Sequence, residues 1–193
     1  LDSSYHGEFV NKKLQELESG MDWLNNMKNL EVIQSFGAGI NDIEMIPLFL
    51  DHFELDFFLV AMPYTLLNQE PLEEVFPECE RRGIGIILGS PYASGILAKG
   101  SRKESKYGYT DVSEEILNKV QSIEVICEDH GIPLKAAALQ FPLAHPLISS
   151  VIPGALKATH VLENIEMLKL PIPPEFWIEL KQTGLLHPEA PVA

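Results

Sequence analysis

The sequence is short of positive charge. Fourteen Lys and Arg stand against 28 Asp and Glu, a formal net charge of −14. That excludes a general nucleic-acid binder, which presents a basic face to the phosphates. Cysteine is scarce too. Cys79 and Cys127 are the only two, far apart and on apolar helix faces, so they read as buried packing residues of a reducing cytoplasm. No apolar run approaches the roughly 20 residues that cross a bilayer, and no signal-peptide pattern opens the chain, so a membrane partner is not expected. The histidines lack metal-ligand spacing and the acidic residues scatter along helix faces, which supports neither a metal site nor a glycosidase carboxylate pair. Also missing is a Gly-x-Gly-x-x-Gly turn after the first strand, the dinucleotide fingerprint of open doubly wound sheets.

What is present is ordinary globular chemistry, 46% hydrophobic and 22% charged over 193 residues, enough for one domain spanning the whole chain. Short β-rich runs alternate with amphipathic helices. Val10, Leu14, Leu17, Met21, Leu24 and Met27 recur at helical steps and predict a helix from Phe9 to Lys28. Strands are predicted over Val32–Ala38, Leu55–Met62, Ile84–Leu88 and Ser149–Ile152. Between them fall helices near Asp42, over Pro71–Arg82 ending at Gly83, after a cap at Asp111 or Ser113, over Pro133–Leu143 and over Thr159–Leu168. A Pro-rich turn, Pro171–Pro174, leads to a last helix with Trp177. Asn41 and Glu44 have capping-box spacing. The strands look apolar on both faces, which suits a parallel sheet covered by helices. With the fingerprint missing, barrel is the better α/β architecture.

Three segments carry a resemblance: Ser35-Phe36-Gly37-Ala38-Gly39-Ile40-Asn41; Tyr64-Thr65-Leu66-Leu67 followed by Gly83-Ile84-Gly85-Ile86 and Ser90-Pro91 with Gly95-Ile96-Leu97; and Val151-Ile152-Pro153-Gly154-Ala155 through Glu163-Asn164. In order and spacing they resemble the aldo-keto reductase family, most of all its sugar and pyridoxal dehydrogenase branch. The resemblance implies the C-terminal part of a (β/α)8 TIM barrel, about four βα units, with the N-terminal strands missing. It implies hydride transfer between a nicotinamide cofactor and an aldose or similar small carbonyl or alcohol. The family's tyrosine, lysine, aspartate and histidine lie on the first four strands, so this chain alone is expected to be inactive. Asp2-Ser3-Ser4-Tyr5-His6-Gly7 resembles either the family's second-strand Asp…Tyr motif, though more tightly spaced, or the loop after strand four. The chain opens on Leu1, which suggests a segment of something longer, and its partner is expected to be the missing half-barrel or a second copy. A non-catalytic nucleotide-binding module of the same fold is the alternative.

The resemblance also implies a cofactor site. Gly39 and either Ile40 or Asn41 would lie near the nicotinamide carboxamide, unless Asn41 simply caps a helix. Ser90, Gly95 and Leu97 fall in the loop over the pyrophosphate, where small residues let backbone N–H groups approach phosphate. Relatives carry a glutamine and a stacking aromatic where this sequence has Ala61 and Gly89; Tyr92 either replaces the aromatic or is an ordinary loop residue. Relatives that prefer NADP place a lysine and an arginine where Gly154 and His160 stand here, so NAD is expected, with NADP possible if Lys157 compensates. Glu163 and Asn164 match the pair that holds the adenine edge.

Overall fold

The computed structural model describes residues 8–102, 106–108 and 110–192. The Asp2–Gly7 segment lies outside the described residues.

Helix α1 (Glu8–Asn29) lays Leu14, Leu17, Met21 and Leu24 on the core. It is followed by β1 (Gly37–Ile40), α2 (Met45–His52), β2 (Phe57–Ala61), α3 (Val75–Arg82) and β3 (Gly85–Gly89). Short helix α4 (Ile96–Lys99), the hairpin β4 (Lys106–Tyr107) and β5 (Thr110–Asp111), then α5 (Glu114–Asp129) and α6 (Leu134–Gln140) precede β6 (Ile148–Ile152). Helices α7 (Ala158–Lys169) and α8 (Pro174–Gln182) complete the described elements.

The main sheet is parallel throughout, in the order β1-β2-β3-β6. Its strands add on in chain order with no reversal, so the switch point of a doubly wound sheet does not occur among them. Phe58, Val60, Ile86 and Leu88 point to one face and are fully buried beneath the helices. Burying each such side chain stabilises the fold by about 1.5–3 kcal/mol.

The other face is largely apolar, as expected, but the described helices do not cover it. It carries Gly39, Leu59, Ile87 and Ser150 in register, with Gly39 and Ser150 exposed and Leu59 at 36% exposure. Ile152 at the end of β6 is 50% exposed. The outer edges of β1 and β6 have no strand beside them among the described residues.

Several boundaries differ from the sequence reading. The first strand starts at Gly37, not Val32, because the N–H groups of Val32 and Ile33 fold back to the Met27 carbonyl and close the end of α1. Gly37 is required where it stands: a Cβ there would come within 2.1 Å of the Phe57 carbonyl oxygen. Asn41 does not cap α2. That helix starts at Met45, and the turn before it is held by the Glu44 N–H donating to Asp42 Oδ1 at 3.1 Å. The helix expected over Pro71–Arg82 is a 3-10 turn (Glu70–Leu72) and then α3, which Gly83 ends at φ 70°. Ser113 rather than Asp111 caps α5, accepting the Ile116 N–H; Asp111 pairs within the hairpin. Helix α6 stops at Gln140, and the Pro142–Ala144 turn follows.

Candidate functional site

The strands end, on the side where their loops gather, in strained backbone. Met62 after β2, and Ser90, Ala93 and Ser94 after β3, are non-glycine residues at φ 59°, 55°, 48° and 58°. Each costs about 1 kcal/mol or more, and such strain collects at ligand sites. The Met62 N–H donates to the Gly89 carbonyl at 2.9 Å and the Ser90 N–H to the Ile152 carbonyl at 3.2 Å. These bonds carry the ladder past the strand ends and lock the loops to one another.

The loops after β3 and β6, with α4, α6 and α7, surround a cavity of about 430 Å³. Ser90, Gly95, Gly154, His160 and Glu163, five of the residues singled out in the sequence, line it. Asn164 sits just behind, 5% exposed, its Oδ1 accepting the Tyr92 hydroxyl at 2.8 Å. Tyr92 is thus no ordinary loop aromatic: 6% exposed, it ties the loop after β3 to α7. The Leu156 N–H donates to His160 Nδ1 at 3.3 Å and fixes that ring against the last loop.

Two sequence-derived positions are corrected. The Leu97 side chain lies wholly in the core, away from the cavity lining. The cradle expected from the Ser90–Leu97 backbone is also spent on the loop itself. The N–H groups of Gly95 and Leu97 both donate to the Tyr92 carbonyl, that of Ala93 to Ser90, and that of Ile96 to Ala93. Lys157 does not line the cavity; it is exposed at the start of α7.

Cations come instead from Lys99 and Lys135, which the sequence reading missed. Lys135 Nζ lies 2.7 Å from Glu163 Oε2 and 5.5 Å from the Tyr92 ring centroid. The bond from Lys135 holds the Glu163 carboxyl below its usual range, helped by the Lys135 and His160 charges and opposed by partial burial. A signal was available: Lys135 is a lone cation in Leu-Lys-Ala-Ala-Ala-Leu-Gln, a helix otherwise given to burial.

Gly39 and Asn41 do not reach this cavity. Asn41 lines a second one of about 300 Å³ with Asp42, Ala61, Met62, Pro63, Asn68 and Tyr107. Gly39 is exposed on the open sheet face. Among the tyrosines, Tyr64 is fully buried with its hydroxyl unpartnered, and burial pushes it well above the usual range; burial and then the Glu163 charge do the same to Tyr92. Burial likewise pushes the Cys79 thiol up to about 11 and Cys127 up to about 12.

A parallel βα sheet whose loops carry polar and cationic side chains onto one cavity defines the class of protein. The sequence profile of the Aldo/keto reductase family matches residues 5–184, and the chain belongs to that family. It is 34% identical to pyridoxal 4-dehydrogenase of Microbacterium luteolum over 167 residues, 86% of this chain and 49% of that protein. It is 32% identical to D-threo-aldose 1-dehydrogenase of a Pseudomonas species over 171 residues, 88% of this chain and 52% of that protein. The chain spans about half the length of these curated relatives. Among solved structures, the holo form of aldo-keto reductase AKR11C1 from Bacillus halodurans superposes with a TM-score of 0.64 at 22% identity, covering 86% of this chain and 55% of that one. No described helix is long and apolar enough to cross a membrane.

Proposed function

We propose that this chain is the nucleotide-binding, C-terminal half of a (β/α)8 oxidoreductase, working with NAD on an aldose or similar small carbonyl or alcohol in the cytoplasm. The observation that carries the reading is the convergence of Ser90, Gly95, Gly154, His160 and Glu163 on one cavity. Its chemistry fits a dinucleotide: Lys99 for phosphate, the Ser90 hydroxyl for phosphate or ribose, and Glu163 with Asn164 for the base edge. Asn41 stands by the second cavity, where the nicotinamide end would lie. When bound, the nicotinamide supplies or takes the hydride. NAD is favoured over NADP because Gly154 and His160 replace the two fixed cations that would hold a 2′-phosphate, each charge-assisted contact being worth about 1.5–3 kcal/mol. The substrate class rests on the likeness to pyridoxal 4-dehydrogenase and D-threo-aldose 1-dehydrogenase.

The proton-transfer residues belong, in this reading, to the other half of the barrel. Buried Tyr64 and Asn164-bound Tyr92 are poor donors at neutral pH, since burial disfavours their ionised forms. The same observation favours a second reading, a non-catalytic nucleotide-binding module. Titration calorimetry of the 193-residue chain with NAD and NADP tests the shared claim. NAD binding in preference to NADP is expected; NADP bound tenfold tighter overturns the preference, and no binding of either overturns the site. Oxidation of pyridoxal or an aldose with NAD as hydride acceptor, by a barrel completed with four N-terminal strands, separates the enzyme from the module.

A further inference from the structure

The Lys135–Glu163 pair is placed unlike an ordinary surface salt bridge. Its two ends differ. Lys135 is 15% exposed on the buried helix α6, whereas Glu163 is 48% exposed on α7. Both line the cavity beside Gly154 and His160, so the pair stands where a ribose 2′-substituent would arrive if the adenosine half of a dinucleotide binds there. The ammonium has a second attachment, the Tyr92 ring 5.5 Å away, and Tyr92 is itself anchored to Asn164 at 2.8 Å. A cation over an aromatic face keeps its position when a carboxylate leaves. Among the described residues Glu163 has no second ion pair, only the more distant charge of His160 beside it.

From this arrangement we propose that the Lys135–Glu163 pair is a specificity-determining element of the nucleotide site. Lys135 places a phosphate-binding cation at the adenosine end, and Glu163 cancels its charge, so that a 2′-phosphate gains nothing there. The proposal rests on the nucleotide reading of the cavity given above. It makes an unusual demand: removing a charged wall residue should create affinity. A phosphate competing for Lys135 must displace an anion already 2.7 Å from it, and a dianion brought against Glu163 meets like-charge repulsion. With a neutral side chain at 163, the same ammonium is free to make a charge-assisted bond to phosphate.

The test uses two small probes, 5′-AMP and adenosine 2′,5′-bisphosphate, titrated calorimetrically into the 193-residue chain, E163Q, K135M and E163Q/K135M. Glu163 also faces the base edge in this reading, so a change common to both probes cancels and only the ratio of their affinities is read. E163Q is expected to raise the affinity for the bisphosphate relative to 5′-AMP by about tenfold, and K135M in the E163Q background to abolish the gain. An unchanged ratio in E163Q overturns the proposal and leaves the pair a tie between α6 and α7. A gain that survives K135M overturns it as well, by assigning the effect to Lys99. If the unaltered chain binds neither probe, the nucleotide reading itself fails and takes the proposal with it.

Discussion

Replacing Tyr92 by Phe removes one oxygen atom and isolates one bond. The Tyr92 hydroxyl donates to Asn164 Oδ1 at 2.8 Å across 72 residues of sequence, with Tyr92 6% and Asn164 5% exposed. The Phe ring keeps the packing, so little cavity term arises. The Asn164 oxygen, however, stays buried without its donor, and leaving a buried polar group unsatisfied costs about 1–3 kcal/mol. For a chain of this size each kcal/mol lowers Tm by about 2–4 °C. Urea unfolding followed by circular dichroism should show a lower midpoint at unchanged slope. Y92F/N164L, which replaces both partners with apolar groups, should recover most of the loss, and the double-mutant cycle should give a coupling of at least about 0.5 kcal/mol. A Y92F variant within about 0.5 kcal/mol of the parent, uncoupled from position 164, would refute the claim that this bond holds the cavity wall together.

Four further outcomes are expected. Gly37→Ala should fail to fold or lose several kcal/mol, because its Cβ meets the Phe57 carbonyl oxygen at 2.1 Å, whereas Gly39→Ala, with nothing within 4 Å, should fold normally by circular dichroism. Asp56 accepts the Phe36 N–H at 2.9 Å and pairs with Lys28; burial raises its pKa, but these bonds outweigh burial and bring it below 3.8. Its contribution is therefore present above pH 3.8 and lost as pH falls through the folded value, so the stability gap between the parent and D56N should shrink on acidification in urea titrations. Cys79 and Cys127, buried and with thiols raised to about 11 and about 12, should resist thiol labelling by mass spectrometry at about pH 8 until the chain is unfolded. The 193-residue chain should self-associate in analytical ultracentrifugation, more strongly at high salt, because its net charge of −14 opposes contact and salt screens that repulsion. A monomer at both salt levels would count against an open sheet face.

Local features were legible where the chain's own periodicity decides structure. The α1 stripe from Leu14 to Leu24 and the αL stop at Gly83 could be read from spacing and residue type alone. Val32 and Ile33 could not. Their β-branched side chains argue for a strand, but the preceding helix captures their N–H groups at Met27, and a helix end already in place outcompetes weak β-propensity. Leu97 shows a different failure: a motif position in a phosphate loop concerns the backbone, and here that backbone is bonded to Tyr92 while the side chain fills the core.

The cavity's charge was the hardest part to read, because it is assembled over long range. Strands β3 and β6 are neighbours in the sheet, yet the β4–β5 hairpin, α5 and α6 intervene between them in the chain. The resemblance pointed to the loops at the two strand ends. It did not point to the connection, and the connection delivers Lys135 onto Glu163 and the Tyr92 ring. A missing cation in the last loop therefore does not by itself describe the electrostatics of the site. What a 2′-phosphate would meet depends on how completely Glu163 cancels Lys135. That balance belongs to the packing of α6 against α7, beyond the reach of any single motif.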